Sequence, residues 1–256
     1  MRSLALAIVA LVVPIAGAQE RPIKPSELRS GLDYAGADVR AMQSDDATNP
    51  AMLWVARGEQ LWSAPVGKAA CSACHGDAQK GMRGVAARYP SVDPASQRVV
   101  TLAAKVAACR SQRQQSGPAA IEDDDVLALT AFVAFQSRGT PIAVSVDGPA
   151  HAAFERGREF YTRRQGQMNL ACTHCHDQNF GKRLFSERLS QGHPTAFPAY
   201  RLEWQGLGTL DRRVRACLFG IRAQMPPSGS REIAEVELYL AWRAQGLPLE
   251  APGVRR

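Results

Sequence analysis

The chain has 256 residues, of which 45% are apolar and 21% charged, and its formal net charge is +7; this globular composition excludes a low-complexity or wholly disordered protein. By count, residues 19–150 are neutral, and all of the +6 carried by residues 19–256 lies in residues 151–256. Such a one-sided excess suits a local basic field around a small anion better than a nucleic-acid footprint, so no nucleic-acid partner is expected.

At the amino terminus, Arg2 precedes an apolar run over residues 4–16, and Ala16-Gly17-Ala18 stands before Gln19. This predicts a secretory signal peptide over residues 1–18, cleaved on export to the periplasm. The run falls short of the roughly 20 residues that span a bilayer, and no other segment comes close, so no membrane span is expected. The alternative is an uncleaved anchor. Residues 19–50 are polar and carry no cofactor motif; they are expected to form an arm packed on the second half or on a partner.

The rest of the chain repeats itself. Arg57-Gly58-Glu59-Gln60-Leu61-Trp62 leads into Cys71-Ser72-Ala73-Cys74-His75, and Arg156-Gly157-Arg158-Glu159-Phe160-Tyr161 leads into Cys172-Thr173-His174-Cys175-His176. Each motif is followed by one lone cysteine, Cys109 or Cys217, and then by a closing segment with an aromatic face. These are Phe132-Val133-Ala134-Phe135 with Gly139 and Tyr239-Leu240-Ala241-Trp242 with Gly246. The acidic run Glu122-Asp123-Asp124-Asp125 suits the positive end of the first closing helix, and Ser230 is the N-cap candidate of the second. The reading is an all-α chain of two class I cytochrome c-like domains in tandem, over residues 51–140 and 151–247. A linker at 141–150 joins them, with a possible short strand at Ile142-Ala143-Val144-Ser145-Val146, and a carboxyl-terminal tail covers 248–256.

Cys-x-x-Cys-His is the signature of covalent haem attachment. Two such motifs imply two haem c groups, held by Cys71 and Cys74 and by Cys172 and Cys175, with His75 and His176 as proximal iron ligands. Zinc binding and dithiol redox chemistry are the competing readings of the Cys-x-x-Cys pairs. The distal ligand of the first haem is Cys109 or Met82; that of the second is Cys217, Met225, His193 or His174. Repetition favours the cysteines, because Met225-Pro226-Pro227 has no counterpart in the first half. Thiolate ligation would lower the reduction potential. A Cys109–Cys217 disulfide would require Cα atoms within about 7 Å, which separate domains disfavour.

Asn169-Leu170-Ala171-Cys172 through His176, Leu189-Ser190-Gln191-Gly192-His193-Pro194, Tyr200-Arg201-Leu202-Glu203-Trp204-Gln205, Arg212-Arg213-Val214-Arg215-Ala216-Cys217 and Glu237-Leu238-Tyr239-Leu240-Ala241-Trp242-Arg243 together resemble the SoxA family. These are the dihaem subunits of the SoxAX cytochromes of bacterial sulfur oxidation. Lys80-Gly81-Met82-Arg83-Gly84-Val85 and Gln136-Ser137-Arg138-Gly139 extend the resemblance to the first half. It implies an L-cysteine S-thiosulfotransferase that couples thiosulfate oxidatively to a cysteine of a SoxYZ-like carrier. It also implies a SoxX-like monohaem partner and a cytochrome c acceptor for two electrons. By the same resemblance Cys217 is the catalytic cysteine, occurring as a persulfide, and Arg213 contacts substrate. Arg212, Arg213 and Arg215 cannot all face one site from i, i+1 and i+3 of a helix, so only Arg213 is assigned there. A dihaem thiosulfate dehydrogenase forming tetrathionate and a non-catalytic electron carrier remain alternatives.

Overall fold

The computed structural model describes residues 21–256; the expected signal peptide at 1–18 lies outside them. Short 3-10 turns and helix α1 (Ala37–Ser44) lead into α2 (Met52–Ser63), α3 (Cys71–His75) and α4 (Ala78–Gly81). The hairpin β1 (Ser91–Asp93) and β2 (Arg98–Val100) is followed by α5 (Leu102–Ala108), a π-helical turn (Cys109–Gln114) and α6 (Asp124–Phe135). The second half contains α7 (His151–Thr162), α8 (Cys172–His176), the hairpin β3 (Arg183–Leu184) and β4 (Glu187–Arg188), and strands β5 (Ala199–Arg201) and β6 (Gly206–Gly208). It closes with α9 (Leu210–Gly220), α10 (Arg231–Arg243) and β7 (Gly253–Arg255).

Each half is built on one pair of packed helices, α2 with α6 and α7 with α10. The matched Arg-Gly dipeptides explain the pairing. A Cβ on Gly58 would stand 2.2 Å from the Ala128 carbonyl oxygen, and one on Gly157 would stand 2.1 Å from that of Glu235. No other residue allows the helix backbones to come so close. The preceding arginines reach across the same crossings: Arg57 pairs with Asp125, and Arg156 with Glu235, both at 2.5 Å. Helix α6 is buried at every residue from Val126 to Ala134, as expected for a helix apolar on all sides. Ser230 caps α10 through the Ile233 amide. Asp123 instead accepts from the Ala120 amide and makes no side-chain cap.

Three expectations are corrected. The chain is not all-α, because seven short strands occur among the described residues. Residues 248–256 are no free tail: β7 runs parallel to β5 in the sheet β6-β5-β7, and Leu249, Ala251 and Val254 are buried. The alternation in 141–150 buries Ile142, Val144 and Val146, but the segment forms no strand. Its hydrogen bonds run to the Leu247 and Ala87 carbonyls, so burial alone produces the period of two.

The halves also interlock. Tyr200 and Leu207 of the second-half sheet pack into the core around Trp62 and Phe132, with Trp54 and Tyr200 rings 5.8 Å apart. Ala86 and Ala134 belong to the core around Phe154 and Trp242. Residues 21–50 lie against the second half, where the Gln191 side chain bridges the Arg29 amide and the Glu27 carbonyl. Among the described residues, no helix is long and apolar enough to cross a membrane.

Candidate haem and sulfur site

Cys172, Cys175 and His176 occupy one short helix, so their spacing presents them together. The His176 Nδ1 lies 2.8 Å from the Ser190 carbonyl; a carbonyl partner makes Nδ1 the donor and leaves the Nε2 lone pair free for a metal. Gly192 keeps the adjoining loop flat against this ring, since a Cβ there would come within 3.0 Å of it. From α9, Cys217 approaches the same imidazole, which helps to lower the pKa of its thiol. Burial pushes the Cys172 thiol up to about 12, and the nearby Cys217 adds to the rise. Cys175 is raised by the same two causes.

This donor set fits a covalent haem. Cys172 and Cys175, on one helical turn, would form the thioethers, and the His176 imidazole and the Cys217 sulfur, from separate helices, would be available to the iron. Arg243 is buried, held by Asp177 at 2.6 Å and by the Gln191 carbonyl at 3.1 Å, yet its Nε and Nη1 have no partner among the described residues. Such donors are what a haem propionate accepts. No three His, Cys, Asp or Glu side chains among the described residues converge as a metal-ion cage.

The electrostatics of Cys217 set it apart. Burial alone would raise its pKa, but Arg213, His176 and Arg201 outweigh that cost and bring the thiol down to about 7. Arg213 is half-buried and has no carboxylate partner among the described residues. The other arginines of α9 are engaged elsewhere. Arg212 lies 4.2 Å from the centre of the Trp204 ring, and Arg215 donates from Nε to the Pro226 carbonyl at 3.2 Å. Arg201, buried at the end of β5, is not legible as such in the sequence, since a strand of three residues gives no sign that this arginine is buried.

The first motif is arranged differently. Trp62 packs against His75 with ring centroids 5.8 Å apart and donates to the Gly76 carbonyl. The Cys71 thiol is raised by burial and by the neighbouring Cys109, so Cys109 sits by its own motif. Cys109 opens the π-helical turn, a departure from α geometry that is frequent at functional sites. Its neighbour Arg110 is neutralised by Asp125 at 3.0 Å. Met82 is partly buried against the same core as Cys71.

The remaining candidates are accounted for. His193 is buried, with Nδ1 2.7 Å from the Arg29 carbonyl, and burial drives its pKa down to about 4. His174 turns back, its Nδ1 accepting from the Ala171 amide at 3.0 Å. Met225 is exposed at 44%. All six cysteines are free, so Cys109 and Cys217 are not bridged.

The family model described as "SoxA/TsdA, cytochrome c domain" matches residues 57–142. The chain is 36% identical to an L-cysteine S-thiosulfotransferase subunit SoxA from Pseudaminobacter salicylatoxidans, over 89% of this chain and 80% of that one. It is 37% identical to the SoxA subunit of Rhodovulum sulfidophilum, over 90% and 80%. A crystal structure of SoxXA from P. pantotrophus superposes with a TM-score of 0.85 at 34% identity, covering 89% of this chain and 86% of that one.

Proposed function

Since the chain belongs to the SoxA family of L-cysteine S-thiosulfotransferase subunits, we propose that it is the dihaem member of a SoxX-containing pair. In this reading it couples thiosulfate to the cysteine of a SoxYZ-like carrier, outside the cytoplasm. Haem c groups would be held by Cys71, Cys74 and His75 and by Cys172, Cys175 and His176, with Cys109 and Cys217 available as further iron ligands. The observation that carries the reading is the meeting of Cys217 with His176 under the charge of Arg213.

The reaction joins the sulfane sulfur of thiosulfate to the carrier thiol, forming one S–S bond and releasing the thiol proton and two electrons. The chemistry a bound haem would supply is acceptance of the two electrons, for delivery to a cytochrome c acceptor. Arg213 holds the sulfonate end of the dianion through charge-assisted bonds, which directs the sulfane sulfur towards Cys217. The cationic surroundings favour the anionic form of the Cys217 sulfur. A sulfur committed to iron is a poor nucleophile, so the persulfide form of Cys217 carries the reactive outer sulfur. His176, oriented by the Ser190 carbonyl, would also ligate the iron.

The test is coupling of thiosulfate to a carrier in the presence of ferricytochrome c. Cys217→Met is expected to keep both haems, because attachment depends on Cys172 and Cys175, and to lose coupling. Retained coupling, or tetrathionate formation by the wild type without a carrier, overturns the reading.

A further inference from the structure

Residues 190–193 belong to no helix or strand, yet they carry the groups that touch the His176 ring. The Ser190 carbonyl accepts from His176 Nδ1 at 2.8 Å, and Gly192, with φ of 73°, faces the same ring. The backbone pairing of the preceding hairpin ends at Leu189, whose amide donates to the Lys182 carbonyl at 2.9 Å. The support for the loop comes from elsewhere in the chain.

Gln191 is only 1% exposed and is engaged at both ends of its amide. Its Oε1 accepts from the Arg29 amide at 2.7 Å, and its Nε2 donates to the Glu27 carbonyl at 3.0 Å. His193 Nδ1 donates to the Arg29 carbonyl at 2.7 Å. On the other side, the Gln191 carbonyl accepts from the buried Arg243 at 3.1 Å. The arm that receives these bonds is itself anchored. Ile23 and Leu28 are buried, and Arg21 donates to the Gln245 carbonyl at 3.0 Å and to Gln245 Oε1 at 2.8 Å, just beyond α10. A buried side-chain amide offers both a donor and an acceptor, so it satisfies the two backbone groups of the arm in one alignment of arm and loop.

A hydrogen bond from the outer nitrogen of a ligating imidazole fixes the ring and makes the other nitrogen a stronger donor to the metal. Such bonds are one of the levers by which a protein sets a haem potential. We propose that Gln191 is a positioning residue for the second haem: through Glu27 and Arg29 it ties the amino-terminal arm to the loop and holds the Ser190 carbonyl on His176. This rests on the reading of His176 as an iron ligand. The arm, which carries no haem motif, thereby acts on the potential of the second haem.

The test uses haem-loaded protein with its partner subunit. Redox titration gives the potential of each haem, and near-infrared magnetic circular dichroism identifies the axial ligands. Gln191→Leu removes both bonds to the arm and loosens the Ser190 carbonyl, which favours ferrous iron. At a fixed potential the ferrous-to-ferric ratio of the second haem should rise about tenfold, equivalent to about 59 mV for a one-electron couple, with the first haem unchanged. Gln191→Glu keeps the acceptor for the Arg29 amide but loses the donor to Glu27, and should raise the ratio about threefold. Arg21→Ala frees the arm at its far anchor and should shift the same haem in the same direction, also by about threefold. If Gln191→Leu fails to retain haem, the other two variants decide. A second-haem ratio within about twofold of wild type, a shift of opposite sign, or an equal shift of both haems overturns the proposal. If the wild-type spectra show no histidine on the second haem, the ligand reading fails and the proposal falls with it. If histidine is present and the ratio ignores Gln191, only the proposal fails.

Discussion

The two halves share a scaffold and differ in what surrounds the lone cysteine. In both, an arginine-glycine pair on the leading helix meets a carboxylate and a backbone carbonyl on the closing helix. In both, the last aromatic residue of that leading motif packs against a ring of the closing helix: Trp62 on Phe132 at 5.8 Å, and Tyr161 on Tyr239 at 5.1 Å. Cys109, however, stands in a π-helical turn beside an arginine that Asp125 neutralises. Cys217 stands in a continuous α-helix with the charges of Arg213 and Arg201 acting on it. The repeated scaffold therefore carries two different electrostatic settings: Arg110 beside Cys109 is paired with Asp125, whereas Arg213, one turn before Cys217, has no carboxylate partner among the described residues.

The largest expected effect is at Arg213. Arg213→Lys should lower kcat/KM for thiosulfate coupling by about 2–4 kcal/mol in activation terms, the range for losing a preorganised charge-stabilising group. Arg212→Lys and Arg215→Lys should stay near wild type, because one is stacked on Trp204 and the other bonded to a carbonyl. Steady-state kinetics of the three variants, with spectra recorded for each, check this contrast. Equal small effects would reduce the comparison to a basic surface on one half. A smaller effect is expected from Cys109→Met: a changed spectrum and potential for the first haem, with coupling retained within about tenfold. A complete loss of turnover there would make the first half an obligatory participant.

The attachment motifs and the repeat were legible because covalent haem demands a fixed local spacing and because the leading and closing segments recur around it. The pairing of Cys217 with His176 was legible only as a parallel between halves, since no local pattern shows that α9 reaches α8. Arg201 was hidden for a physical reason: its burial depends on Trp204 and Glu203 folding over a three-residue strand, and period-two alternation has no meaning over so short a span. The carboxyl-terminal residues read as a tail because they follow the last helix and carry no motif of the repeat. Their order comes from pairing with β5, a non-local contact that no sequence window contains.

The most direct test of the difference between the halves is peptide mass spectrometry of the mature protein after exposure to thiosulfate. Haem should be found on the peptides carrying Cys71 with Cys74 and Cys172 with Cys175, and added sulfur on the Cys217 peptide alone. Added sulfur on Cys109, or none on Cys217, would contradict the claim that the second half alone carries the sulfur chemistry.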